Sequence, residues 1–292
     1  MNTDDYTWTP PGVGAEALKK FHTPAIGIPS HARARLHRWI VQEKESYELL
    51  DFGFMLDFQA NYRQDLGLNP LARISVQKML DYLSKLEENT FAALVDFVVS
   101  KEYPGPTHNP EPSGRTAKLA DVLERSGAGW RVGNRNGRWG LLETLPSEVS
   151  VIIEGTISQA GRAGDLLASA RENAFSIDKR PSYAYYDAVR AVEVYSCPLI
   201  SPKDKNATLG KDINVLQNKP RAWTFALAGN ESGDLAIEQL IGTLRLLWHS
   251  HTDRHGREDY ENVTQAQAEA AVLLAAAVVG WLSRGLLTRV SE

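Results

Sequence analysis

The chain has 292 residues, 43% apolar and 23% charged, with a net charge of -4. That is the balance of a soluble globular protein long enough to bury a sizeable core, and its sign argues against unspecific coating of nucleic acid. Cys197 is the only cysteine, so a disulfide or a cysteine-based zinc site within one chain is excluded, and a reducing, cytoplasmic setting is expected.

Residues 1–13 read as a tail containing Pro10 and Pro11; with Asp4, Asp5 and no apolar stretch they do not resemble a signal peptide. From Ser30 to about Lys101 the pattern is helical. Ser30 caps a helix through Leu36, Trp39 and Ile40, and Asn69-Pro70 opens another carrying Ile74, Met79, Tyr82, Leu83 and Leu86. Phe91, Leu94, Val95 and Val98 continue that spacing. Tyr103 to Gly114, with Pro104, Pro106, Pro110 and Pro112, reads as a linker. Thr116 to Arg125 predicts a short helix with Gly127 past its end. Trp130 to Leu145 predicts a hairpin about Asn136-Gly137. That turn sets Arg135 opposite Arg138 and Asn134 opposite Trp139. One face then carries Trp130, Val132, Trp139 and Leu141, the other Arg131, Arg135 and Arg138. A third strand is expected at Val149 to Glu154.

Helices follow to the end. One is expected over Ser158 to Phe175. Another opens at Arg180-Pro181-Ser182, puts Tyr185, Val189, Val192 and Tyr195 on one face, and stops before Pro198. A short helix covers Thr208 to Gln217. Asp234 caps a helix with the stripe Ile237, Leu240, Ile241, Leu244, Leu247 and Trp248, and Thr264 with Gln267 has the capping-box spacing of a last helix. The apolar run Ala270 to Leu282 is shorter than the roughly 20 residues that cross a bilayer, so a core helix, and no membrane partner, is expected. The whole predicts a mainly α fold in three parts. These are a helical N-terminal domain (1–112) with an unknown partner, a helix-plus-hairpin module (113–157), and a helical bundle of four main helices (158–292).

Ser182-Tyr183-Ala184-Tyr185-Tyr186-Asp187-Ala188-Val189-Arg190-Ala191-Val192-Glu193, then Ala207-Thr208-Leu209-Gly210-Lys211, then Trp248 to Gly256, together resemble an uncharacterised bacterial family. Its C-terminal part is similar to the abortive-infection C-terminal domain of the HEPN-like helical bundles. The resemblance covers roughly residues 158 to 290. It implies a bundle that often dimerises, with active members that cleave RNA in phage defence and toxin–antitoxin systems. Their signature is an arginine, usually followed by a polar residue, and a histidine four to six residues on. Arg245 with His251 has that spacing, with Leu246 after the arginine; His255-Gly256 has Arg254 beside it.

Three of the seven histidines, His249, His251 and His255, fall in one short stretch with Asp253, Arg254 and Arg257. Histidine titrates near neutral pH and arginine holds phosphate, so chemistry is sought here first. On a continuous helix six residues turn through about 600°, which separates Arg245 from His251 and makes Arg245 a neighbour of His249. His249 and His251 also suit a helix C-terminus through its dipole. In a ribonuclease His255 would act as acid or base, Arg254 or Arg245 would hold phosphate, and His251 and Asp253 would assist. The alternative is a loop histidine that hydrogen-bonds between the last two helices, in an interaction protein without catalysis.

The string His249-x-His251-x-Asp253-x-His255 resembles that of metallo-β-lactamase-like hydrolases with one residue too many. No histidine follows it and strand-rich halves are missing, so no resident metal or cofactor is expected. The arginine face Arg131, Arg135 and Arg138 is the candidate for nucleic-acid or anion contact, with a phosphate or Glu124 as counter-charge. His31, Arg33, Arg35, His37 and Arg38 read as a solvated basic face. No phosphate-cradling loop and no nucleophile elbow occur, and Cys197, before Pro198, reads as a small packing residue.

Overall fold

The computed structural model describes residues 11–14, 16, 23–42, 49–50, 53–67, 73–103, 111–135, 137–227, 233–249 and 262–290. Among them are eleven α-helices and three two-stranded antiparallel sheets, a mainly α fold. The chain divides into two compact units, 1–144 and 145–292.

The first unit runs α1 (Ser30–Ile40), β1 (Leu49–Leu50), α2 (Gly53–Tyr62), β2 (Ile74–Ser75), α3 (Val76–Lys85), α4 (Glu88–Val99), α5 (Gly114–Arg125), β3 (Trp130–Arg135) and β4 (Arg138–Glu143). The helix expected from Asn69-Pro70 begins later, at Val76. Ser75 caps it by accepting from the Lys78 N–H at 3.4 Å, and Ile74 lies in β2 opposite Leu50. The core is the apolar spacing of these helices made solid: Leu36, Met55, Met79, Leu83, Phe91, Leu94, Leu119 and Leu123 are buried. α5 packs on α1 and on β3, while β4 packs on α4. The helix and hairpin therefore belong to the first unit.

The hairpin has the register that its turn dictates, with Arg135 opposite Arg138 and Asn134 opposite Trp139. Trp139, Leu141 and Val132 are buried as expected. Leu142, on the arginine face, is buried as well. Both faces of β4 are therefore covered.

The second unit is α6 (Ser147–Gln159), α7 (Arg162–Phe175), α8 (Pro181–Ile200), α9 (Leu209–Asn218), β5 (Trp223–Phe225), α10 (Gly233–His249), α11 (Gln265–Ser283) and β6 (Leu287–Arg289). Three expectations are corrected here. Val149 to Glu154 is helical, not a strand: its β-branched residues favour extended chain locally, but helical periodicity buries Ile153 and Ile157 in the core. The single helix expected over Ser158 to Phe175 is two. Ala160 and Gly161 (φ +53°) break it, and Gly164 then passes so close to the Ile157 carbonyl that a Cβ would lie 2.1 Å from it. α8 does not stop before Pro198 but runs on to Ile200. Proline deletes one backbone hydrogen bond, but burial of Ile200 and the bonds of Ser196 and Ser201 to Asp212 hold the final turn.

α7, α8 and α11 form the centre of this bundle. Small residues at their contacts, among them Ala170, Ala174, Ala184, Ala188, Ala271 and Ala275, are buried and let the backbones approach. Pro181 occupies the first position of α8, where its missing N–H costs nothing. Thr264 and Gln267 form the expected capping box of α11. Among the described residues α11 is the one helix long and apolar enough to cross a membrane. Its Val272, Ala276 and Val279 lie in the core of the bundle.

Candidate functional site

His251, Asp253, Arg254, His255 and Gly256 lie outside the described residues, as does the side chain of His249. What the structure describes is how the helices on either side of that segment are held. On the α10 side the Tyr185 hydroxyl meets the carbonyl of Leu247 at 2.8 Å and that of Leu246 at 3.3 Å, satisfying acceptors that a helix end leaves open. Trp248 packs on Gly210, where a Cβ would fall 2.4 Å from the indole. Arg245 is half-buried and donates to Gln217 Oε1 at 2.6 Å, so its guanidinium is turned toward the end of α9. On the α11 side the Gln267 side chain accepts from the Thr264 N–H at 2.8 Å, and Gln265 donates to the Ala174 carbonyl, in the last turn of α7, at 2.6 Å. The segment leaves and returns between two fastened helix ends, one on the start of α8 and one on the end of α7.

The start of α8 also presents aromatic surface. Tyr185 faces the core, as its spacing with Val189 and Val192 predicts, and is buried. Tyr183 and Tyr186 are 66% and 49% exposed. The Arg190 guanidinium lies 5.3 Å from the Tyr186 ring centroid and 3.8 Å from Asp187, whose other oxygen accepts from Ser169 at 2.7 Å. Nearby cations have anionic neighbours: Arg180 meets Asp178 at 2.7 Å and Lys179 meets Glu269 at 3.7 Å.

The hairpin arginines are arranged differently from the expected open face. Arg135 is half-buried against Asp96 of α4 at 3.1 Å, and the same carboxylate oxygen accepts from the Leu141 N–H at 2.7 Å. Leu141 sits in a pair whose N–H groups point away from the partner strand, so Asp96 satisfies an edge donor and a cation together. Asp96 is the counter-charge for which Glu124 is the candidate in sequence. Arg131 is half-buried and Arg138 is exposed.

The solvated basic face expected on α1 is corrected in two places. Arg33 donates to the Leu86 carbonyl at 2.9 Å and lies over the Phe91 ring. His37 is buried edge-on to that ring, and burial, then the Arg33 charge, hold its pKa below the ordinary 6.5.

Sequence reasoning missed a buried polar cluster in the second unit. Asp212, fully buried, accepts from Ser201 at 2.6 Å and Ser196 at 2.8 Å. Its place in the first turn after the Thr208 cap is the signal that could have marked it. Burial first, then the Asp212 carboxylate, push the Cys197 thiol up to about 12, so it is no nucleophile at neutral pH. Among the described residues no group of three or more histidine, cysteine or carboxylate side chains could hold a metal ion. Compared with known protein families, with curated proteins and with solved structures, the chain matches none.

Proposed function

We propose that the second unit recognises RNA at the end of the bundle where α10 gives way to α11, and cleaves it without a metal ion. The fastening of α10 by Tyr185 and of α11 by Gln265 carries this reading. A segment rich in histidine and arginine has been given two rigid ends next to exposed tyrosines, which is the support that a positioned acid–base group requires. His255 acts as acid and base, Arg254 or Arg245 holds the phosphate, and His251 and Asp253 assist. The 2′-oxygen attacks its adjacent phosphorus as a base takes the 2′-hydroxyl proton, and the 5′-oxygen leaves with a proton from an acid. A guanidinium stabilises the charge that builds on the phosphorus oxygens. A HEPN-like assignment, a role in phage defence or a toxin–antitoxin pair, and a cytoplasmic location rest on family analogy.

The test is cleavage of labelled cellular RNA by the full chain in EDTA, wild type beside His255→Ala. Cleavage by the wild type that the variant loses is the expected result. No cleavage by either, or equal cleavage by both, overturns the catalytic role of His255.

One observation favours a second reading, an interaction protein that dimerises through its bundle. Val151 and Ile152 on α6 are 71% and 59% exposed, apolar surface of the kind that marks contact with another chain. Sedimentation of the wild type and of Val151→Glu tests it, with loss of a dimer in the variant as the expected outcome.

A further inference from the structure

We propose that the outer face of α11 seats a second copy of the chain, α11 against α11 and antiparallel, about a two-fold axis level with Ala276 and Ala277. The inference rests on the dimer reading above and adds its interface and register. α11 has two faces of different use. Val272, Ala275, Ala276 and Val279 lie in the core of the bundle. On the opposite side Ala266, Ala270 and Leu273 are exposed, Ala277 and Gly280 are half-buried, and Arg284 is exposed at the C-cap. Steps of three and four residues set these on one stripe. From Ala270 to Ser283 the helix has no charged residue. Leu273 is 41% exposed, at a position where the outer face of a bundle helix ordinarily carries a polar side chain.

α6 extends this surface. A Cβ on Gly280 would stand 3.6 Å from Thr156 Oγ1, so the two helices adjoin there. The exposed Ile152 lies one turn before Thr156 on the same side of α6.

The face is complementary to itself. A two-fold contact pairs each residue with one equally far beyond the axis on the other copy. Leu273 then meets Gly280 of the second copy, a side chain against bare backbone, and symmetry repeats the fit. The same axis sets Glu269 opposite Arg284 of the second copy. Among the described residues both partners of Glu269, Gln265 at 2.7 Å and Lys179 at 3.7 Å, meet Oε1. Oε2 is therefore open to the Arg284 guanidinium. Parallel pairing would instead oppose Leu273 to Leu273, Glu269 to Glu269 and Arg284 to Arg284. Antiparallel helices also set opposite ends of their dipoles side by side. One axis satisfies both the steric and the charge match, and this selects a second copy over an unrelated partner.

The test is oxidative cross-linking of the full chain carrying Ala277→Cys or Ala270→Cys, with sedimentation of charge variants, each checked for wild-type helicity. The two copies of Ala277 meet beside the axis. The two copies of Ala270 lie roughly 20 Å apart along the paired helices, at about 1.5 Å per residue, beyond the reach of a disulfide. Ala277→Cys should therefore cross-link to a dimer and Ala270→Cys should not, with the wild type, which has Cys197 alone, as control. Arg284→Glu should weaken the dimer about tenfold, and adding Glu269→Arg should restore it to within about threefold. A wild-type dimer in which both cysteine variants cross-link, or neither does, overturns the register and leaves the dimer reading standing. A dimer that Arg284→Glu leaves intact, or that the double variant does not regain, does the same. A wild type that sediments as a monomer up to about 100 μM overturns register and dimer reading together. Flotation of that monomer with phosphatidylcholine vesicles would assign the face to a bilayer surface instead.

Discussion

Each unit buries a carboxylate, and the two do so with different partners. Asp96 in the first unit meets the Arg135 guanidinium and the Leu141 N–H. Asp212 in the second meets the hydroxyls of Ser196 and Ser201 inside the first turn of a helix. The contrast extends to other cations. In the first unit Arg115 donates to the Trp39 and Ile40 carbonyls at 3.0 and 3.2 Å, closing the end of α1, and stacks on the Trp39 ring. Arg33 likewise fastens α1 to the Leu86 carbonyl. In the second unit Arg171 is drawn inward to Glu154, while the cations at the start of α8 stay exposed or half-buried. In the first unit Arg33, Arg115 and Arg135 fasten one element to another. At the start of α8 in the second unit Lys179, Arg180 and Arg190 instead pair with carboxylates at the surface.

This contrast predicts unequal costs for one and the same substitution. Asp96→Asn leaves a half-buried guanidinium without its counter-charge and weakens the bond to the Leu141 N–H, so it should cost about 3 kcal/mol. Asp212→Asn leaves two hydroxyls that can rotate to accept as well as donate, and it loses a helix-start charge, so it should cost about 1 kcal/mol. Urea unfolding of the full-length variants followed by tryptophan fluorescence measures both. A larger loss for Asp212→Asn than for Asp96→Asn would break the comparison, because it would mean that the hydroxyl cage is the more rigid requirement.

The sequence carried the features that depend on neighbours along the chain. Asn136-Gly137 sets the register of β3 and β4, Thr264 and Gln267 cap α11, and the spacing of Tyr185 with Val189 and Val192 identifies the core face of α8. It misled where distant packing overrides local preference. The β-branched residues of Val149 to Glu154 favour extended chain locally, yet the segment is helical with Ile153 in the core of the bundle. Pro198 stops an isolated helix, but Asp212 on another helix holds the last turn in place. Asp96 lies 45 residues from Leu141 and 39 from Arg135, so no local pattern links the three. The candidate site is legible as a list of residue types. Which of the three tyrosines that open α8 is buried becomes visible only in the fold.

The smallest effect expected concerns His37, a further ionisable group that the first unit takes inside. Its ring centroid is 5.1 Å from that of Phe91, nearly perpendicular, and Arg33 one turn earlier lies over the same ring. Burial foremost, and the Arg33 charge second, disfavour the imidazolium, so the folded pKa lies below 6.5. Above 6.5 both folded and unfolded chains hold a neutral imidazole, and His37 adds no pH dependence. As pH falls through 6.5 the unfolded chain takes the proton first, and stability declines until the folded pKa is reached. His37→Phe should flatten that part of the profile of unfolding free energy against pH, measured between about pH 5 and about pH 8. The ring contact with Phe91 survives the substitution, so a slope that persists unchanged in the variant would show that His37 is not its source.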